Sequence, residues 1–182
     1  MKALVLIAEG FEEIEALTPV DLLRRAGITV FTAGIGNKII TGARNIQVVC
    51  DITDNEINIQ KNDIDIIILP GGNPGYINLG KSNFVVSLIN EFYKNGKKIA
   101  AICGAPTVLS KLGLLKDKAA TCFPDLLDSL ECKEKIRDKK VVIDGNIITS
   151  RSAGTAVDFS LAVIEELTDK SIAEKIKNQI YY

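Results

Sequence analysis

Residues 97–113 read KKIAAICGAPTVLSKLG, and this stretch decides the fold. An apolar run that ends at Ile102 is typical of a buried β-strand, and the residues after Cys103 and Gly104 have the composition of a helix. A strand that turns directly into a helix predicts an α/β protein. It also places one cysteine, Cys103, at the turn between the two elements.

The rest of the chain repeats this alternation of strand and helix. Continuous apolar runs indicate strands that are covered on both faces, and intervening helices indicate a largely parallel sheet. We therefore predict an α/β sandwich. Its strands are expected at residues 2–8, 29–33, 64–69, 98–102 and 147–150, and its helices at 12–26, 83–94, 153–167 and 171–180. A hairpin is expected around Asp144-Gly145, a second antiparallel excursion at 39–51, and a surface connection at 54–63.

Composition limits the classes of protein that fit. A length of 182 residues with 47% hydrophobic composition predicts a single domain over residues 1–182. Lys and Arg number 22 against 23 Asp and Glu, so neither nucleic acid nor a membrane surface is an expected partner. Without a signal peptide or a long apolar span, we expect a cytoplasmic protein whose four cysteines are free thiols.

The chain contains no histidine. Mechanisms that need a Cys-His or Ser-His pair within this polypeptide are therefore excluded. The spacing of the cysteines and carboxylates matches no usual set of zinc ligands, so no metal site is expected.

Three features lie where strands are predicted to end, which is where open α/β sheets bind ligands. On the first helix, Glu15 falls within the apolar arc, where burial favours the neutral acid; a carboxylate that reaches solvent at the edge of the arc is the alternative. Gly71 and Gly72 follow a strand and could offer free backbone N–H groups, or form an ordinary turn. Cys103 precedes a helix whose N-terminus is expected to lower the thiol pKa, although a small buried cysteine is common in protein cores.

Four stretches together resemble the ThiJ/PfpI superfamily, in the branch of DJ-one and its bacterial ThiJ-like relatives. They are ALVLIAEGFEEIEALTPVDLLRRAGI at 3–28, ILPGGNPG at 68–75, AAICGAP at 100–106 and TSRSAGTAVDFSLAVIEEL at 149–167. The resemblance implies a flavodoxin-like sandwich, no cofactor and a homodimer formed with the first helix. It also implies that Cys103 is a reactive cysteine beside a protonated Glu15, that Gly71, Gly72 and Gly104 supply backbone donors, and that Arg44 lies in the pocket.

Two departures from the family limit what the resemblance implies. Phe123 in TCFPDL stands where relatives often carry a histidine, and Gly104 follows the cysteine where the protease-like branch has one. Peptidase and amidotransferase activities of the Cys-His type are therefore not expected. Cys122 could be a second thiol near the pocket, although packing is the preferred interpretation.

Two functions use the same residues. The first is a cofactor-independent glyoxalase or deglycase, in which the Cys103 thiolate attacks a small carbonyl substrate such as methylglyoxal and Glu15 moves protons. The second is an oxidative-stress sensor or redox-regulated chaperone in which Cys103 is oxidised to a sulfinate. The sequence does not separate them.

Overall fold

The computed structural model describes residues 1–57 and 63–182 and contains a seven-stranded sheet between two layers of helices. The sheet strands are β1 (Lys2–Ile7), β2 (Thr29–Gly34), β5 (Ile52–Thr53), β6 (Ile66–Leu69), β7 (Lys98–Ile102), β10 (Val141–Asp144) and β11 (Ile147–Ser150). Their order is β10-β11-β7-β6-β1-β2-β5, and all neighbours are parallel except β10 and β11. The predicted α/β sandwich with a mostly parallel sheet is confirmed.

Two small sheets accompany it. The first pairs β3 (Ile39–Thr41) with β4 (Gln47–Val49) and is the predicted antiparallel excursion. The second pairs β8 (Ala119–Ala120) with β9 (Glu134–Lys135). The predicted hairpin joins β10 to β11, but its two-residue loop is Gly145-Asn146, one position later than expected. The predicted connection at 54–63 lies partly outside the described residues, and its described part begins with a 3₁₀ turn at Asp54–Glu56.

Within residues 1–57 and 63–182, six helices flank the sheet. They are α1 (Glu13–Arg25), α2 (Gly75–Lys81), α3 (Asn83–Lys94), α4 (Pro106–Lys111), α5 (Ala156–Leu167) and α6 (Lys170–Gln179). Two 3₁₀ segments, Pro124–Ser129 and Ala153–Thr155, lie near the carboxyl ends of the central strands. The predicted helices are confirmed to within a few residues, except that residues 153–155 form a 3₁₀ turn before α5 begins.

The core has two halves, one on each face of the sheet. Because side chains alternate along a strand, Val5 and Ile7 of β1 pack toward α1, α5 and α6, whereas Leu4 and Leu6 pack toward α2, α3 and α4. The central strands are buried on both faces, as their continuous apolar sequence predicted. Among the described residues, none of the helices is both long and apolar enough to cross a membrane.

Candidate active site

Cys103 occupies the turn between β7 and α4 with a backbone φ of 64°. This left-handed conformation is unfavourable for a residue with a Cβ atom, so surrounding contacts must hold it. Its N–H donates to the carbonyl oxygen of Ser150 at 3.0 Å, and its own carbonyl oxygen accepts from the N–H of Phe123 at 2.8 Å. The half-buried thiol then lines a cavity of about 440 Å³ at the carboxyl edge of the sheet.

Glu15 lies beside this thiol. It belongs to the apolar face of α1, as its helical position predicted, and its side chain is only 1% exposed. Glu15 Oε2 accepts a hydrogen bond from the backbone N–H of Gly71 at 2.9 Å, and the carboxyl group accepts a second hydrogen bond from the Cys103 thiol. The helix α1, the end of β6 and the turn after β7 therefore meet at one pair of reactive groups.

Burial raises the pKa of Glu15 from its ordinary value of 4.5 to about 7, and the nearby charge of Glu12 adds to this rise. The hydrogen bonds from Cys103, Gly71 and Ala153 act in the opposite direction because they stabilise the carboxylate. The predicted direction of the shift is confirmed. Near neutral pH the protonated and ionised forms of Glu15 are both substantially populated.

The pKa of Cys103 is raised to about 12, first by burial and then by the charge and hydrogen bond of Glu15. Backbone N–H groups of Gly72 and Gly104 lower it only in part. The expectation of a lowered pKa for this thiol is therefore wrong, because the N–H groups that act in the lowering direction do not offset burial and Glu15. The helix α4 has only six residues, so its dipole stabilises a thiolate weakly. This effect is smaller than the cost of placing two negative charges together in a buried site.

The two pKa values belong to a coupled pair. Between about 7 and about 12 the pair holds one proton, which rests on the Cys103 sulfur and is donated in a hydrogen bond to the Glu15 carboxylate. The geometry is thus suited to moving that proton from sulfur to Glu15 as the sulfur forms a bond.

The glycines of the site have separate roles. The N–H of Gly71 is occupied by Glu15, so the expectation that it is free to bind a substrate oxygen is wrong. A Cβ atom at Gly71 would lie 2.6 Å from both Cys103 Cβ and Glu15 Oε2, which shows that this position must be small. The N–H groups of Gly72 and Gly104 face the Cys103 sulfur.

Arg44 lines the cavity, as the resemblance implied, but its side chain is 71% exposed. One guanidinium nitrogen lies 3.5 Å from Glu12 Oε2, so the positive charge is partly paired. The turn that carries Arg44 is held by Glu13, whose Oε1 accepts from the backbone N–H groups of Arg44 at 2.8 Å and Ile46 at 3.4 Å. Sequence reasoning missed Glu13, since it lies outside the predicted apolar arc.

The cavity has further walls that the sequence analysis did not assign to it. They are formed by Glu12, Asn73, Tyr76, Asp125, Leu126, Ser152 and Ala153, together with Phe123. Ser152 and Ala153 could have been found, because β11 neighbours β7 and both strands end at the same edge of the sheet. The 3₁₀ segment that carries Asp125 and Leu126 has no comparable sequence signal.

The other cysteines lie away from the reactive pair or within the core. All four cysteines are free thiols. Cys122 is completely buried, and burial raises its pKa to about 12, which supports a packing role for this residue. Within residues 1–57 and 63–182, no three Cys, Asp or Glu residues come together as a metal site would require.

Comparisons with known proteins agree with this architecture. The model of the DJ-1/PfpI family matches residues 1–166. The protein dj-1beta of Drosophila melanogaster is 40% identical over 176 residues, which cover 96% of this chain and 93% of that protein. A glutathione-independent glyoxalase of Caenorhabditis elegans is 35% identical over 91% of this chain and 88% of its own length. The structure of oxidised DJ-1 from Toxoplasma gondii superposes with a TM-score of 0.93 at 33% identity, covering 100% of this chain and 98% of that one.

Proposed function

Because the chain belongs to the DJ-1/PfpI family, we propose that it is a cofactor-independent glyoxalase or deglycase that acts on dicarbonyls such as methylglyoxal, or on their early adducts with amino groups. The observation that carries the proposal is the hydrogen-bonded Cys103–Glu15 pair at the wall of a cavity large enough for a small molecule. The similarity to a glyoxalase that needs no glutathione supports the same assignment.

The first step joins substrate and enzyme. The Cys103 sulfur attacks the aldehyde carbon of methylglyoxal, and the thiol proton passes to Glu15. The C=O π bond becomes an alkoxide, which the N–H groups of Gly72 and Gly104 can stabilise because they already face the sulfur. Protonation of the alkoxide by Glu15 completes a hemithioacetal.

The second step rearranges this adduct without an outside oxidant. The proton on the former aldehyde carbon moves to Glu15 and returns to the neighbouring carbon, while the hydroxyl proton of the hemithioacetal passes to the ketone oxygen. The aldehyde carbon is thereby oxidised to a thioester, and the ketone carbon is reduced to an alcohol. Water then hydrolyses the thioester, which releases lactate and restores the thiol. A carboxyl group with a pKa near 7 is suited to both giving and taking protons at neutral pH.

The test is lactate formation from methylglyoxal by purified protein in the absence of glutathione. We expect turnover by the unmodified protein and only the uncatalysed rate with Cys103→Ala. The variant Cys132→Ala is the matched control, since Cys132 does not line the cavity. Equal lactate formation by the unmodified protein and Cys103→Ala would contradict the proposal.

Oxidation sensing is the second candidate, and the ring of hydrogen-bonding groups around the Cys103 sulfur favours it. Glu15, when protonated, and the N–H groups of Gly72 and Gly104 could donate to the oxygens of a sulfinate. The related Toxoplasma gondii protein has been solved in an oxidised form. Selective addition of two oxygens to Cys103 by mild peroxide, seen by intact mass, without turnover of any dicarbonyl would favour this function.

A second copy of the chain is the protein partner that we propose. The outer face of α1 exposes Ile14 and Leu17, and the adjoining turn exposes Ile46. Glu13 Oε2 is buried beneath this surface and has no hydrogen-bond partner among the described residues. A donor from a second copy would remove the cost of that unpaired atom.

A further inference from the structure

The cavity above Cys103 has an apolar wall formed by Tyr76, Phe123 and Leu126. Phe123 is 36% exposed, which is a large exposure for an aromatic side chain, and Tyr76 and Leu126 are half-buried. Aromatic surface in a concave site gains free energy when an apolar ligand group covers it. At about 440 Å³, the cavity also has more room than methylglyoxal needs.

Backbone contacts set the position of Phe123 independently of its ring. Its N–H donates to the carbonyl oxygen of Cys103 at 2.8 Å, and its own carbonyl oxygen accepts from Leu126 N–H at 2.9 Å. Two residues earlier, Thr121 N–H donates to Thr149 Oγ1 of β11 at 3.0 Å. A substitution at position 123 should therefore change the chemistry of the wall without displacing the chain beside the nucleophile.

Charge in the cavity disfavours anions. Glu12, Glu15 and Asp125 line it with three acidic side chains, and Arg44 is the one basic side chain among the described residues that line it. Arg44 is already paired with Glu12 and is largely exposed, so it offers little unpaired positive charge inside the cavity. Because Glu12 and Arg44 pair and Glu15 is partly protonated near neutral pH, the net charge is that of Asp125 and the ionised fraction of Glu15, which is negative and disfavours a substrate with a carboxylate.

We infer that the site selects uncharged dicarbonyls with an apolar, preferably aromatic, substituent, and that Phe123 is the residue that determines this selectivity. The inference rests on the proposed function and narrows its substrate class. The substituent lies against Tyr76, Phe123 and Leu126 while the aldehyde carbon reaches the Cys103 sulfur. Methylglyoxal fits the same site but leaves most of the apolar wall uncovered.

The first experiment compares phenylglyoxal with methylglyoxal. The ratio of their kcat/KM values is measured for the unmodified protein, Phe123→Ala and Phe123→Leu, and comparison of these ratios cancels the intrinsic reactivity of each substrate. We expect the preference for phenylglyoxal to fall about tenfold in Phe123→Ala, because apolar contacts of this size are worth about that factor in specificity. The fall should be much smaller in Phe123→Leu, because leucine keeps the wall apolar. An unchanged ratio in Phe123→Ala would overturn the inference.

The second experiment measures the selectivity of the cavity through the alkylation rate of Cys103, without substrate turnover. Cys103 is alkylated with N-phenyl iodoacetamide, iodoacetamide or iodoacetate, and each rate is divided by that of free cysteine. The expected order is phenyl amide first, then amide, then the anionic acetate, and Phe123→Ala should reduce only the advantage of the phenyl reagent. Equal normalised rates for all three reagents would contradict a selective cavity.

The two experiments separate the inference from the function on which it rests. If no dicarbonyl is turned over but the alkylation preference depends on Phe123, the proposed function fails and the selectivity of the cavity stands. If methylglyoxal is turned over through Cys103 but neither ratio changes in Phe123→Ala, the function stands and the inference is wrong.

Discussion

Glu15 should make the folded protein less stable as the pH rises. Its pKa is raised from 4.5 to about 7, so the folded state holds this proton more tightly than the unfolded state does. The stabilisation from this bound proton is complete below 4.5, the pKa of Glu15 in the unfolded state, and is lost as the pH rises through about 7. Because glutamine carries no charge, we expect Glu15→Gln to be more stable than the unmodified protein. The gain in the free energy of unfolding should be about 2 kcal/mol larger at about pH 8 than at about pH 5.

Urea denaturation at the two pH values measures this difference. Glu174→Gln, a change at an exposed glutamate of α6, controls for the loss of a surface charge and should leave the pH dependence as it is. If Glu15→Gln were no more stable than the unmodified protein at the higher pH, burial would not be the main influence on this carboxyl group.

The reactivity of Cys103 should follow the ionisation of Glu15. Below about 7 both groups carry protons and no base is adjacent to the thiol, whereas above it the carboxylate can accept the thiol proton. We expect the rate of Cys103 alkylation by iodoacetamide, followed by peptide mass, to rise through about pH 7. The inflection should be lost in Glu15→Gln.

A rate for the unmodified protein that stays flat from about pH 5 to about pH 8 would contradict this mechanism, because it would mean that the thiolate exists beside a protonated Glu15 throughout. Single peptides must be followed because Cys50, Cys122 and Cys132 are also free thiols.

The sequence correctly predicted that Glu15 is buried, but it did not predict the raised pKa of the Cys103 thiol. The burial of Glu15 follows from helical periodicity, which depends only on neighbours along the chain. The pKa of Cys103 depends on a carboxylate 88 positions away in the chain, and on how deeply the fold buries both groups. The partner of the Gly71 N–H was missed for the same reason, since α1 supplies it across the end of the sheet.

At the scale of elements, the turn between β6 and α2 should tolerate no side chain at position 71. A Cβ atom there would lie 2.6 Å from Cys103 Cβ and from Glu15 Oε2, so Gly71→Ala must push the reactive pair apart. We expect a loss of about 1–3 kcal/mol in stability together with a large fall in kcat/KM for methylglyoxal. Thermal unfolding and kinetics of the same preparation measure both effects.

Gly154→Ala is the matched control for this prediction. Gly154 lies in the 3₁₀ turn before α5, its φ is not in the left-handed region, and a Cβ atom there would have no neighbour within 4 Å. The change should be neutral or slightly stabilising, by roughly 0.4–1 kcal/mol. If Gly71→Ala behaved like Gly154→Ala, close packing around the pair would not explain why this position is glycine.

Long elements could be predicted from the sequence, and very short ones could not. The helix α3 and the strands β7 and β11 have the predicted bounds, because apolar patterning and end signals persist over several residues. The strands β5, β8 and β9 have two residues each, too few for any periodicity, and they form only because neighbouring backbone groups are in place. The 3₁₀ segment Pro124–Ser129, which follows Phe123, has six residues but was not predicted either, so most of one cavity wall was missed.

At the scale of the molecule, the order of strands assembles the site. The strands β1, β6, β7 and β11 are neighbours and parallel, so the segments that follow them converge on one edge of the sheet. These segments bring Glu15, Gly71, Cys103 and Ser152 together from distant parts of the chain. Changes within the loops can therefore alter substrate selectivity while the buried strands hold Cys103 and Glu15 in place.

Association between copies of the chain depends on exposed apolar residues of two neighbouring elements. Ile14 is 53% exposed and Leu17 is 36% exposed on α1, and across the neighbouring turn and hairpin Ile46 is 53% and Val49 is 68% exposed. The hydrogen bond from Ile46 N–H to Glu13 holds this turn against α1. Exposed apolar side chains on α1 and the turn, with a buried and unpaired oxygen of Glu13 between these elements, are suited to a symmetric contact between two copies.

We expect the protein to sediment as a dimer and Leu17→Glu to sediment as a folded monomer, because a charge at this exposed position costs the fold little but cannot be buried unpaired in an interface. Ile143→Glu is the matched control: Ile143 is also exposed, at 43%, but lies on β10, on the opposite edge of the sheet from β2 and β5. It should remain dimeric. A dimer that survives Leu17→Glu but is lost in Ile143→Glu would move the interface to β10, and a monomer in every case would exclude a stable homodimer.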